Sequence, residues 1–357
     1  MTRHLARLVV LLLALATGGV AAAAPAVAAI NDRIGFVLWG RGGVQFGSSY
    51  PPAWGPTTVT PGPPGEFEIV FPTEGLPGGV VHVTAINDTP HWCQATGWAS
   101  VGVDEHVGIA CFKVTAAGPV PDHTAFTAFF ERSSGPVLAL DPFGYVDALP
   151  TGAVIDQINT GGLTNTVTPV GVGHWVVRMP GMGTAGPLDG SVQVTAVSPA
   201  AHPVRCKPSR WASAGSGQVV DVVCFDGLSG ALVDSRFAVT YQFRHALFGG
   251  VPSFKFGYLL QGPPLGPAAT NFNSVTGGSG NISGSVVTGI TTVRFPALGI
   301  DPDNVQVTAV GANPNFCALP APWTHPALTT DTIATVNCYD PAGNKVSSGF
   351  TITAFSY

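Results

Sequence analysis

Charge is what this chain has least of. Asp, Glu, Lys and Arg make up 10% of its 357 residues, against about 25% in an ordinary soluble domain. Fifteen basic side chains face twenty acidic ones, which excludes the basic surface that phosphate backbones require, so nucleic acid is not an expected partner. Beyond the first thirty residues no apolar run reaches the ~18 residues of a membrane-spanning helix, and no membrane span is expected. Catalytic signatures are missing too: there is no G-x-S-x-G elbow, no H-E-x-x-H and no P-loop. Gly181-Met182-Gly183-Thr184-Ala185-Gly186 spells a dinucleotide fingerprint, but Pro187 and a strand-like segment follow it. Without a helix N-terminus a pyrophosphate has nothing to sit on, so the string reads as a turn. No catalytic residue, metal or cofactor is assigned.

Glycine (46) and proline (32) are what the chain has instead, together with valine- and threonine-rich strings. That mixture predicts an all-β protein with many turns. Residues 1–29 carry the marks of a secretory signal: Arg3 and Arg7, then Leu8 to Leu15, then the small residues Val27-Ala28-Ala29. The expected location is therefore extracellular, where six cysteines pair rather than serve as nucleophiles.

The chain repeats itself. VHVTA, VQVTA and VQVTA place Thr84, Thr195 and Thr308 at equivalent points, and each is preceded by an alternating strand closed by Pro72, Pro180 or Pro296. Each copy opens on a glycine followed by an aromatic residue, at Gly35, Gly144 and Gly257. This predicts three tandem β-sandwich modules at 30–134, 135–249 and 250–357, each of about seven short strands and long enough to bury its own core. The joints are expected at Arg132 to Gly135 and Phe248 to Val251, and the longest irregular loops at Gly40 to Pro56 and Gly262 to Gly280.

Cys93 and Cys111, Cys206 and Cys224, and Cys317 and Cys338 occupy matching places in the three copies, each pair enclosing a tryptophan (Trp98, Trp211, Trp323). The simplest geometry pairs each couple across one hairpin, and the enclosed tryptophan then packs over the disulfide or the sandwich edge. In the VTA strand His82 matches Gln193 and Gln306 between inward valines. Strand alternation therefore puts His82 on the solvent side.

Four histidines (His82, His91, His106, His123) fall in the first copy beside Asp88, Asp104, Glu105 and Asp122. Their spacings match no recognised ligand set, and scattered surface histidines account for them. Trp39, Trp54 and Trp92 have no tryptophan counterpart in the other copies. They are the candidate ligand-binding residues, as rigid apolar faces on which sugar rings could stack, or else they pin a glycine-rich loop to the sandwich.

The segment RCKPSRWASAGSGQVVDVVCFDGLSGALVDSRFAVTY, Arg205 to Tyr241, resembles repeats of secreted actinobacterial proteins that share this Cys-Trp-Cys β-module. The first copy departs from it, having Phe112-Lys113 where the second has Phe225-Asp226. The resemblance implies export and modular β structure and carries over no functional residue. The expected function is non-enzymatic surface recognition of a polysaccharide, a cell envelope or a protein, with tandem sites adding avidity. The competing expectations are a secreted hydrolase built on the first-copy histidines, and a self-associating coat protein.

Overall fold

A computed structural model describes residues 32–40, 42–50, 55–133, 141–186, 188–248, 255–262 and 270–356. The expected signal segment, Trp54, half of the first expected joint and most of the second lie outside these. Every regular element is a strand. The first nine are β1 (Arg33–Gly40), β2 (Gly43–Tyr50), β3 (Thr58–Pro61), β4 (Glu66–Phe71), β5 (Val80–Ile86), β6 (His91–Val101), β7 (Asp104–Thr115), β8 (Gly118–Pro121) and β9 (Ala125–Arg132). Next come β10 (Phe143–Ala148), β11 (Val154–Asn159), β12 (Thr166–Gly171), β13 (His174–Met179), β14 (Ser191–Val197), β15 (Val204–Ala214), β16 (Gly217–Asp226) and β17 (Arg236–Gln242). The last are β18 (Lys255–Gln261), β19 (Thr270–Asn273), β20 (Ile282–Val287), β21 (Ile290–Phe295), β22 (Asp303–Val310), β23 (Phe316–Ala318), β24 (Thr332–Tyr339) and β25 (Gly349–Ser356).

One strand order recurs. β2-β1-β9-β5, β11-β10-β17-β14 and β19-β18-β25-β22 give one recurring order of four; β3-β4-β7-β6, β12-β13-β16-β15 and β20-β21-β24-β23 give the other. A parallel β14–β6 pairing at Val197 and Ala95 joins two of these layers, with β8, into one nine-stranded sheet. The first set has nine strands, counting β8 paired on β7, and the other two have eight, where seven were expected; in the first and third, β2 and β19 are edge strands inside stretches that read as irregular loops. Glycine density hid them, since glycine weakens the strand signal without forbidding a strand. Each set has its own apolar core, with Phe71 and Phe130 in the first, Trp175 and Phe237 in the second, and Phe295 and Ile352 in the third. The recurring glycine that opens each set has a packing reason. A Cβ on Gly35 would strike the Phe71 ring, and one on Gly144 or Gly257 would meet Met182 or Leu298.

The disulfides pair as the hairpin geometry requires: Cys93–Cys111, Cys206–Cys224 and Cys317–Cys338, each couple directly opposed in its strand pair. Such bonds suit an oxidising compartment. Trp211 is buried in the core that contains Cys206 and Cys224, and Trp323 in the core that contains Cys338. Trp98 is half-buried, with the Arg236 guanidinium 4.5 Å over its ring.

The three sets do not hang as beads. Asn31–Tyr357 is one compact unit, closed by three equivalent backbone hydrogen bonds. Asn87 N donates to Leu319 O, Ser198 N to Ala95 O, and Gly311 N to Pro208 O. Each bond leaves the end of a VTA strand and lands two residues past the first cysteine of another set. The order is first to third, second to first and third to second, so the sets form a ring around a near-threefold axis.

That axis overturns the expectation for His82. Its side chain is 1% exposed and bonds to Thr195 Oγ1 at 3.1 Å and Thr240 Oγ1 at 2.8 Å. The two matching contacts are Thr84 Oγ1 donating to Gln306 Oε1 (2.9 Å) and Thr308 Oγ1 donating to Gln193 Oε1 (2.6 Å). Alternation correctly separates His82 from the sandwich core. The face it shares is covered by the neighbouring sets rather than by water, and polar side chains there satisfy one another.

Candidate functional site

A cleft of 1050 Å³ opens between the first set and the Pro320–Pro322 segment of the third. Its apolar wall is Trp39, near the end of β1. The β1–β2 register shifts between Leu38 and Trp39, a bulge of the kind that re-aims a side chain. The indole is half-buried and packs edge-on against Phe67, with ring centroids 6.0 Å apart; Phe67 in turn rests on His123 and Phe126 at 5.0 Å each.

Polar groups face this wall from three connections. The turn before β6 supplies Asn87, Asp88 and Thr89, β7 supplies Lys113, and the β8–β9 link supplies Asp122 and His123. Asn87 Oδ1 accepts from Thr89 N (3.1 Å) and from Thr89 Oγ1 (2.9 Å), which fixes the turn, while Asn87 Nδ2 donates to Thr124 Oγ1 at 3.0 Å. His91 Nε2 lies 2.8 Å from Asp122 Oδ2, and its Nδ1 lies 3.1 Å from Thr89 Oγ1. His91 is 1% exposed, whereas Asp122 is 44% exposed. The histidine therefore orients the carboxylate, and the carboxylate meets solvent.

The first-copy histidine and acid cluster disperses. His91, His123, Asp88 and Asp122 line the cleft. His82 is on the axis, His106 pairs with Glu68 at 2.9 Å, Glu105 accepts from Ser100 Oγ, and Asp104 accepts from Thr73 N. The candidate tryptophans separate as well. Trp39 walls the cleft, but Trp92 is 5% exposed, stacked on Phe112 at 5.2 Å and tilted against Phe316 at 5.5 Å. Both aromatic neighbours and an arginine occupy it, so the expectation of Trp92 as a stacking platform is corrected: no face is left for a sugar.

One cluster has metal-like spacing. Ligand atoms of Asp301, Asp303 and His325 lie within 4.8 Å of one another. Each imidazole nitrogen already faces a carboxylate, Nδ1 to Asp301 at 3.2 Å and Nε2 to Asp303 at 2.9 Å, while Trp323 Nε1 donates to Asp303 Oδ1. Donating a hydrogen bond to Asp303 raises the His325 pKa, and burial raises that of Asp303. A histidine bracketed by two carboxylates, with both ring nitrogens engaged, explains the cluster without an ion. Sequence reading missed it because His325 falls in the irregular stretch between β23 and β24, where no strand pattern relates it to Asp301 and Asp303.

No protein-family model, curated protein or solved structure matches this chain.

Proposed function

We propose that this is an exported, non-enzymatic recognition protein, made of three copies of one module at 30–134, 135–249 and 250–357, which binds a polysaccharide in the Trp39 cleft. The observation that carries the reading is a half-buried indole facing a ring of hydrogen-bonding side chains across a cleft of 1050 Å³. Pyranose rings present an apolar C–H face and a polar rim, which matches an aromatic wall opposed by Asn87, Asp88, Lys113 and Asp122. Counting from the opening glycines, Trp39 corresponds to Ala148 and Gln261. The site is thus single, and avidity from three like sites is not part of the reading.

A hydrolase remains the second reading, because His91 and Asp122 meet in the same cleft. Burial of His91 and the bonds to both its nitrogens count against a general-base role, which needs a ring nitrogen within reach of substrate. The test is a glycan array and an insoluble-polysaccharide pull-down with the wild-type chain and Trp39→Ala. Loss of at least tenfold in affinity at unchanged melting temperature supports the reading, and undiminished binding removes it. Release of soluble sugar by the wild type would favour the hydrolase.

A further inference from the structure

Trp92, Arg205 and Phe316 each immediately precede the first cysteine of their disulfide. The ring brings the three equivalent positions together. The Trp92 and Phe316 ring centroids are 5.5 Å apart, and the Arg205 guanidinium carbon lies 4.8 Å from each. Arg205 is 7% exposed, and its Nε, Nη1 and Nη2 have no hydrogen-bond partner among the described residues. Trp92 Nε1 is likewise buried without a partner. Aromatic faces accommodate the flat sides of a guanidinium, but they do nothing for its in-plane N–H groups.

Lys207, two residues along β15, is 3% exposed. Its Nζ donates to Asn313 Oδ1 and Asn315 O, both at 2.9 Å, and both are neutral acceptors. Arg205, Lys207, Trp92 and Asn315 line a hollow of 60 Å³ at the axis, together with Thr84, Thr195 and Thr308. No carboxylate lines it. The acid nearest in electrostatic influence, Asp226, makes no ion pair with Arg205, and its Oδ1 accepts from Leu228 N, Ser229 N and Ser229 Oγ. A buried guanidinium with orphaned donors, beside a lysine met only by neutral acceptors and with no carboxylate in the hollow, is an arrangement that native interiors avoid unless something supplies the acceptor.

We propose that this hollow binds one oxyanion of the phosphate or sulfate class, held by the guanidinium edge of Arg205 and the ammonium of Lys207. Planar N–H pairs of arginine match the oxygens of such an anion, and lysine adds a point charge. A water needs about 10–15 Å³ of such space, so 60 Å³ accepts a small anion or the anionic substituent of a larger molecule. Burial pushes Lys207 down to about 7, helped by the Arg205 charge, and pushes Arg205 down to about 10. The hollow shares no residue with the Trp39 cleft, so the two proposals stand or fall separately.

The experiment is calorimetric titration of the full chain with sodium sulfate at ionic strength held constant with chloride, for the wild type, Arg205→Met and Lys207→Met. The expected result is saturable one-to-one binding to the wild type, weakened at least tenfold in both variants and unchanged in Trp39→Ala. Absence of saturable binding to the wild type, or equal binding by Arg205→Met, overturns the proposal. Should a variant fail to fold, the wild type decides alone: its melting temperature must rise with sulfate and not with chloride, and an equal response to both overturns the site. A parallel titration with glucose 6-phosphate identifies the source. Tighter binding than inorganic phosphate marks a sugar-borne group, and weaker binding marks the free ion.

Discussion

Asn87 donates its backbone amide to the carbonyl oxygen of Leu319 at 2.7 Å, tying a turn in the first set of strands to a strand end in the last. Two equivalent bonds complete the ring. The closure turns one face of each VTA strand, nominally the outer one, into interior. It also brings the three residues preceding the first cysteines onto one axis. The predictions below follow from what that arrangement buries.

His82 is the one ionisable member of the axial His/Gln positions. Burial lowers its pKa to about 3, so the folded chain holds it neutral while the unfolded chain protonates near 6.5. The unfolded state then binds more protons between these values, and stability falls as pH drops from about 6.5 towards 3. His82→Gln, which installs the residue found at Gln193 and Gln306, should flatten that fall while leaving stability at pH 7 within about 1 kcal/mol. Urea midpoints across this pH range check it. A wild-type-like acid slope in the variant contradicts it.

Glu74 works in the opposite direction. It is fully buried, and burial pushes its pKa from 4.5 up to about 8. The folded state therefore holds a proton that the unfolded state releases, so stability contributed here is present below about 4.5 and declines as pH rises towards 8. Glu74→Gln keeps the shape and removes the titration. Its urea midpoint should lose less between pH 5 and 8 than that of the wild type, and an equal loss would show that other groups carry the slope.

Each disulfide spans a short hairpin, with a sequence separation of 18 for Cys206–Cys224. Closing a loop of that size is worth about 3 kcal/mol in the chain-entropy model. Cys206→Ala with Cys224→Ala should cost on that order in equilibrium unfolding while leaving glycan binding at the Trp39 cleft intact. Loss of that binding at an unchanged midpoint would mean the bond shapes the site rather than the stability.

Some of this was legible in the residues and some was not, for physical reasons. Alternating aliphatic residues before Cys111, Cys224 and Cys338 (Val107 and Ile109, Val220 and Val222, Ala334 and Val336) give the strands, and matched cysteine spacing gives the bonds, because both are local. His82 shows the limit: a period of two sorts a strand's faces but cannot say what covers the second one. Trp92 reads from sequence as a stacking candidate because its partners Arg205 and Phe316 are distant in the chain. The register nevertheless contained the clue, a charge standing in one copy where the others have aromatic rings. Within the cleft, Trp39 was singled out by its lack of counterparts. Asp122 was noticed only as one acid among several, since its role depends on a turn held by Asn87.

The ring is tested most directly by native-state hydrogen exchange at the amides of Asn87, Ser198 and Gly311. All three should exchange only through global unfolding, with protection equal to that of core amides such as Val222. Exchange of any one at the rate of an exposed turn would mean the ring is open at that seam.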